Sequence, residues 1–572
     1  MDDVMNTESV ESLKNPDNDF GVLRPSKYYS RKTIIIIATM VCFLSVTVCL
    51  VVFLPIIFCF IIPTARLQGE HLALKKNVSS PISVANNENY NPIDTVDKIV
   101  PIPEYARRTL LDPATWLDKT DFNTTFTDVM VGNLSIMGLC DAYDDTVQAN
   151  PSVPPLNKPF PYGEVPIRGV NLGGWLSIEP FITPSYFRIN NGSQYLLHDE
   201  LSLHNYLQEN ASRIIEEHYS TFVTKRTFEE VREAGLDHVR ITFPYWILHK
   251  DLNATNVSGI GWRYLLRAIE WARSQGLRVN LDLHAAPGNQ NSWNHGGYLN
   301  QLNWLVGPEG NENADRTLKI HEQLSTFFSQ ERYKNVVTIY GLLNEPNSFL
   351  IDPQLINSWH KKAYKIVRSA IPGAIISISD GFRGPGDWDK EYDPFHFPNV
   401  LIDAHRYTIF NDFLIALPYE DKFNIVCNSW KEEVEQKAKL PTIVGEWSLA
   451  DTDCAEFLNN VGEGARWDGT FSPNGNVECC PSRKDCTCST ANADPGSYTA
   501  EYRKVLYNFA SAQIETFDKT WGWFYWNWDT EDATQWSYKK SRAAGLLPEL
   551  AYKTDRAFNC SMLETSFMSR LD

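Results

Sequence analysis

The stretch "VVTIYGLLNEPN", residues 336–347, decides how the rest of the chain is read. It begins as an apolar, β-favouring run and ends on Asn344, Glu345 and Pro346. Strands buried on both faces of a parallel sheet read as near-continuous apolar runs. Proline ends such a run because it has no N–H for the ladder. A carboxylate and an amide at the end of a buried strand call for a reason. Parallel barrels supply one, since their functional groups collect where the strands end.

Seven further runs share this texture: 167–173, 238–243, 278–284, 374–380, 400–405, 441–447 and 521–526. Between most of them lie segments whose apolar residues recur at three and four positions, as in "TKRTFEEVREAGL", "WRYLLRAIEWARSQGL", "NSWHKKAYKIVRSAI" and "TAEYRKVLYNFASAQIETF". Gly235 and Gly276 stand where helix C-terminal caps fall. Eight alternations of strand and helix predict an α/β fold, a (β/α)8 TIM barrel with enlarged loops. The competing open sheet calls for a glycine-rich phosphate loop after its first strand, and "VNLGGWL" is not one.

A barrel brings the strand ends to one mouth. They carry Arg240, Asp282 and His284, Asn344 and Glu345, His405 followed by Tyr407, Glu446, and Trp526. Two carboxylates facing each other, Glu345 and Glu446, are what glycoside hydrolysis uses: one protonates the leaving oxygen, the other attacks the anomeric carbon or activates water. A retaining pair stands roughly 5–5.5 Å apart and an inverting pair about 6.5–9.5 Å. Sequence spacing does not choose between them. Asn344 offers an amide for a sugar hydroxyl, and Arg240 supplies positive charge beside the carboxylates. His284 and His405 also suit a buried, hydrogen-bonded core role.

The 572 residues carry a formal charge of −18, which argues against nucleic acid as a partner. From Thr33 to Pro63 there is no charged side chain. A helix needs roughly 20 apolar residues to cross a bilayer, and a cleavable signal peptide has a shorter apolar core. With 32 residues ahead of it, this run reads as one transmembrane signal-anchor helix. The expected organisation is a cytosolic tail (1–32), the span (33–63), a stalk (64–155) rich in Asn, Pro, Thr and Asp, and the barrel domain (156–572). Arg24, Lys27, Arg31 and Lys32 precede the span, against Arg66, Lys75 and Lys76 after it. The sequons at Asn77, Asn123, Asn133, Asn191, Asn210, Asn253, Asn256 and Asn559 all follow it. Both observations point to a single-pass type II protein, N-terminus cytosolic, with a glycosylated ectodomain.

Cys42, Cys49 and Cys59 fall within the span. The other eight cysteines are even in number on an oxidising side, which favours disulfides. The cluster "CCPSRKDCTC" (479–488) contains no histidine and reads as disulfide-forming rather than as a metal site.

Six motifs in order, "RGVNLGGWLSIEPFITPSYF", "LDLHAAPGNQN", "LLNEPN", "AHRYTIF", "VGEWS" and "GWFYWNWDTE", resemble the fungal exo-β-1,3-glucanases of glycoside hydrolase family five over about residues 160–563. The resemblance implies a retaining mechanism through a covalent glucosyl-enzyme, with Glu345 as acid/base and Glu446 as nucleophile. Arg240, His284, Asn344, His405, Tyr407 and Trp526 match the family's inner shell, and Glu179 a carboxylate that binds the terminal glucose. Trp293 and Phe410 match two aromatic rings at the cleft entrance, the first usually phenylalanine in the family. The resemblance also implies β-1,3-glucan as substrate, no metal or other cofactor, exo action through a loop closing one end of the cleft, and a site at the plasma membrane facing the cell wall. It pairs Cys427 with Cys560 and makes Cys454 the first member of a second pair, with four candidate partners. An endo-glucanase, a transglucosylase and an inactive glucan-binding wall protein are the alternatives on the same frame.

Overall fold

Each of the eight apolar runs forms a strand: β1 Ile167–Asn171, β2 His238–Pro244, β3 Arg278–Ala285, β4 Val337–Gly341, β5 Ile375–Ser379, β6 Val400–Arg406, β7 Thr442–Trp447 and β8 Gly522–Tyr525. The structure is a computed structural model, and it describes residues 102–139, 142–188, 197–248, 257–471, 487–553 and 558–563. The chain divides into residues 1–95 and 96–572, and every described residue belongs to the second unit.

The strands close into a barrel in sequence order, each parallel to the next, with β8 pairing both β7 and β1. Every residue of β1, β2, β3, β5, β6, β7 and β8 is buried. Burial therefore extends to the polar residues that alternate along β2 (His238, Arg240, Thr242) and β3 (Arg278, Asn280, Asp282, His284). One close approach shapes the mouth: a Cβ on Gly445 in β7 would lie 1.9 Å from Asp403 Oδ1, so only glycine lets β6 present that carboxylate there.

Helices Lys225–Glu233, Ile260–Ser274, Gly310–Phe328, Pro353–Ala370 and Ala500–Phe517 follow the three-and-four periodicity. Gly235 (φ +78°) and Gly276 (φ +72°) end the first two in the left-handed conformation their positions suggest. The regular alternation lapses after β5, where a 3₁₀ turn, Pro385–Trp388, stands in the helix's place, and after β6, where a short helix passes into π-helical turns.

The stalk boundary at residue 155 needs correction. Trp116, Leu134, Met137, Leu139, Ala149 and Val153 are buried in the same core as the barrel. Trp262 Nε1 donates to Ser135 O at 2.8 Å, and Arg267 Nη1 to Asp118 Oδ2 at 2.6 Å. The segment lacks a period because it packs mainly as turns held by side-chain hydrogen bonds, with only a 3₁₀ turn, Pro113–Thr115, and a two-residue hairpin pairing Met130–Val131 with Leu134–Ser135. The apolar run 33–63 lies outside the described residues. Among those described, no helix is long and apolar enough to cross a membrane. Sequons at Asn123, Asn133, Asn210 and Asn559 fall on described residues; the other four do not.

Cys427 bonds Cys560 across 133 residues, and the partner of Cys454 is Cys488. Cys140, Cys479, Cys480 and Cys486 lie outside the described residues.

Candidate active site

The site is assembled on a buried cation. Arg240, on β2, is 1% exposed. Its Nη1 donates to Glu446 Oε1 and Asn171 Oδ1, and its Nη2 to Asn344 Oδ1, each at 2.9 Å. Asp282 Oδ1 lies 3.1 Å from Nη2 and Asp403 Oδ2 lies 3.8 Å from Nε. One guanidinium on β2 thereby fixes side chains from β1, β3, β6 and β7 and the end of β4. Burial works against its charge, but Asp282, Glu446 and Asp403 together keep it firmly protonated.

Glu446 is held at both oxygens, since Tyr407 donates its hydroxyl to Oε2 at 3.0 Å. Burial and the neighbouring Glu446 and Glu345 raise the Tyr407 phenol well above its ordinary range, so it remains a donor. Across the mouth, Glu345 lies past the end of β4 with φ +45°, a backbone conformation seldom adopted by a residue with a side chain. Such strain persists where surrounding structure over-determines it. Here Asn344 N donates to Leu283 O at 3.0 Å and Gln290 Nε2 to Asn344 O at 2.9 Å, pinning the turn from β3. One oxygen of Glu345, one of Glu446 and one ring nitrogen of His405 lie within 4.8 Å of one another.

His405 Nδ1 stands 2.6 Å from Glu345 Oε1 and 3.5 Å from Glu446 Oε2, and its Nε2 stands 3.7 Å from Asp403. Burial disfavours its cation, yet Glu446, Asp403 and Glu345 lift it well above the usual histidine range. His295 Nε2 approaches Glu345 Oε2 at 3.1 Å. While the two imidazoles carry protons they hold Glu345 well below the usual carboxylate range, against the upward push of burial. Asp282 is likewise kept low against burial by Arg240 and His284. Glu179 behaves oppositely: burial pushes it up to about 8, and its Oε1 has no hydrogen-bond partner among the described residues. An unpaired buried oxygen of that kind is costly unless a ligand hydroxyl meets it.

A cleft of about 480 Å³ opens over these groups. Glu179, His284, Trp293, Glu345, His405, Tyr407, Phe410, Glu446 and Trp526 line it, while Arg240 lies beneath, donating to Glu446 and to Asn344 beside it. All eleven residues expected from sequence therefore meet at one place. Trp526 stacks on His284 (centroids 5.4 Å, 12° between planes). Trp293 and Phe410 keep 38% and 44% of their surface exposed at the cleft, as entrance rings do. Sequence reading missed His295, Asp403, Asn171, Phe382 and Trp536. Asn171 and Asp403 sit in strand segments already singled out, on the inward side of residues that were read. His295 is in a loop, where no period marks it.

Glu345, His405 and Glu446 are near enough to one another to ligate a cation. Arg240 already occupies Glu446 Oε1 with a charged donor, so a second cation there meets repulsion.

The description "Cellulase (glycosyl hydrolase family 5)" matches residues 204–479. Glucan 1,3-beta-glucosidase 2 of Schizosaccharomyces pombe is 61% identical over 570 residues, covering 99% of this chain and 99% of the relative.

The chain belongs to glycosyl hydrolase family 5.

Among other family members, Probable glucan 1,3-beta-glucosidase D of Aspergillus niger is 48% identical over 473 residues, covering 82% of this chain; the match spans 56% of that longer relative. The crystal structure of rutinosidase from Aspergillus niger shares the fold (TM-score 0.52, 18% identity, covering 71% of this chain and 99% of that one).

Proposed function

We propose that this family 5 member is a retaining exo-β-1,3-glucanase that releases glucose from β-1,3-glucan. The observation that carries the retaining reading is the approach of Glu345 and Glu446 to within 4.8 Å, oxygen to oxygen. An inverting site needs about 6.5–9.5 Å to admit a water between its carboxyls. In the first step Glu446, oriented by Arg240 and Tyr407, attacks the anomeric carbon while Glu345 protonates the departing glucan oxygen. In the second step Glu345 takes a proton from water, and the resulting hydroxide equivalent releases β-glucose from Glu446. The names of the relatives support the choice of β-1,3-glucan. For exo action, support comes from Glu179, whose free oxygen suits a terminal sugar hydroxyl. Asn294 Nδ2 also donates to Asn460 Oδ1 at 2.9 Å, tying the loops after β3 and β7 together beside the cleft.

Proton NMR of the first sugar released from laminarin tests the reading. β-Glucose as the initial product supports it. α-Glucose overturns the retaining roles, and longer oligosaccharides in place of glucose favour an endo-glucanase or a transglucosylase.

We infer also that residues 33–63 anchor the chain in the plasma membrane with the barrel outside, facing the wall. The charge-free length of that run and the sequons beyond it support this. Retention in membranes after alkaline carbonate extraction, with a mobility shift on N-glycan removal, is the expected result. Extraction into the supernatant refutes it.

A further inference from the structure

We propose that Phe349 makes a distal subsite, its ring carrying the stretch of β-1,3-glucan that extends past the entrance ring of Trp293, so that long chains are preferred to short ones. The proposal rests on the glucanase reading and adds to it the length of chain that the cleft grips.

Phe349 lies four residues beyond Glu345 and lines the same cleft, yet it keeps 77% of its surface exposed. Single exposed apolar side chains need no explanation, but a contiguous series running out of a groove marks a binding surface. This ring belongs to such a series. Trp293 meets Phe382 edge to face, with centroids 5.3 Å apart and 70° between planes, and Phe382 lies nearly parallel to Phe349 at 6.3 Å and 12°. The next residue, Leu350, is exposed as well. Two rings so oriented turn flat apolar faces the same way. The C–H faces of successive glucosyl units are flat and apolar in the same sense, and they stack on such rings.

Both rings are held in place. Phe382 has φ +67°, a conformation rare for an aromatic residue. Asp380 Oδ1 accepts its N–H at 2.9 Å, Asp380 O accepts the Trp388 Nε1–H at 3.0 Å, and Arg406 Nη1 donates to Asp380 Oδ2 at 3.2 Å. On the neighbouring loop Asn347 Oδ1 accepts the Phe349 N–H at 3.1 Å, and Ser348 Oγ donates to Gly381 O, which ties the two loops together. Strain of this kind persists where the surroundings over-determine it, and a ring already fixed loses little freedom when a ligand covers it.

The order of strands gives the direction. Glu179 follows β1 and Trp526 follows β8, which are neighbours, while Phe349 and Phe382 follow β4 and β5 on the opposite side of the closed barrel. A terminal glucose held by Glu179 beside Glu446 therefore sends the rest of the chain across the mouth, past Glu345, toward the two phenylalanines.

The test measures kcat and KM of wild type, Phe349→Ala and Phe349→Tyr on laminaribiose and laminaripentaose. In wild type, kcat/KM is expected to be higher on the pentaose. Phe349→Ala should lower the ratio of kcat/KM on laminaripentaose to that on laminaribiose by about 3- to 10-fold, the worth of one stacked ring. The loss should appear in KM with kcat held, as removal of binding remote from the reacting bond requires. Phe349→Tyr keeps the ring face and should keep the ratio. A Phe349→Ala ratio equal to that of wild type, or a loss shared equally by both substrates, overturns the proposal. Loss of self-association or of vesicle binding in Phe349→Ala with the ratio unchanged assigns the ring to another surface and equally overturns it. Wild type that cleaves neither oligosaccharide refutes the glucanase reading and the subsite with it, whereas wild type that cleaves both while Phe349→Ala keeps the ratio refutes the subsite alone.

Discussion

Replacing Arg240 by methionine tests the organisation of the site most directly. The side chain is 1% exposed and makes three hydrogen bonds of 2.9 Å, with a fourth contact at 3.1 Å to Asp282. Methionine matches the stem and removes the charge. At an effective dielectric of about 20, two unit charges 4 Å apart attract by roughly 4 kcal/mol, and removing one partner of a buried pair costs about 3–5 kcal/mol of stability. For catalysis, the relevant part is the charge-assisted bond to Glu446, worth about 1.5–3 kcal/mol. At 1.36 kcal/mol per tenfold, kcat/KM should fall by about 10- to 150-fold. Arg240→Lys should fall in between, because a point-like ammonium cannot reach Asn171, Asn344 and Glu446 in one plane. The assay pairs hydrolysis of an aryl β-glucoside with urea unfolding of the same preparations. Activity of Arg240→Met within about threefold of wild type, with the protein folded, refutes the view that one guanidinium organises the nucleophile.

Glu179 predicts a pH effect on stability. Its folded-state value of about 8 lies above its ordinary value of 4.5, so the folded protein holds a proton that the unfolded chain gives up. That stabilisation is complete below pH 4.5 and is lost as pH rises through about 8. Thermal scans from pH 5 to 9 should show Glu179→Gln gaining on wild type toward alkaline pH, and parallel curves sink the idea. Trp293→Ala should lower the ratio of kcat/KM on laminaribiose to that on β-glucosyl fluoride by about 3- to 10-fold, as loss of about 0.5–1.5 kcal/mol of stacking requires; an unchanged ratio removes Trp293 from the leaving-group site. Opening the Cys427–Cys560 bond by Cys427→Ser frees a loop of 133 residues, which the chain-entropy relation values at about 5 kcal/mol. A melting temperature equal to that of wild type under non-reducing conditions contradicts it.

The barrel was legible because runs rich in apolar, β-favouring residues alternated with helical periods, and most strand ends carried a distinctive polar or aromatic residue. Glu345 stood out through Pro346, and Glu446 through its place seven strands along. What the sequence hid was geometry with no period. His295 reaches Glu345 at 3.1 Å from a loop, and nothing in residue spacing announces that. Asp403 reaches the site only because β7 has glycine opposite it. The amino-terminal segment was misjudged for a related reason. Composition rich in Asn, Pro and Asp signals the lack of helix and strand, and says nothing of whether such turns pack.

That packing decides where the chain can be cut without harm to the barrel. Residues 102–155 wall off one flank of the core, with Leu134 and Met137 buried there and Asp118 joined to Arg267. A protease that cuts ahead of residue 102 leaves this packed body whole. A cut near residue 155 would instead peel away part of its hydrophobic wall, baring Trp262 and the flank of its helix to water.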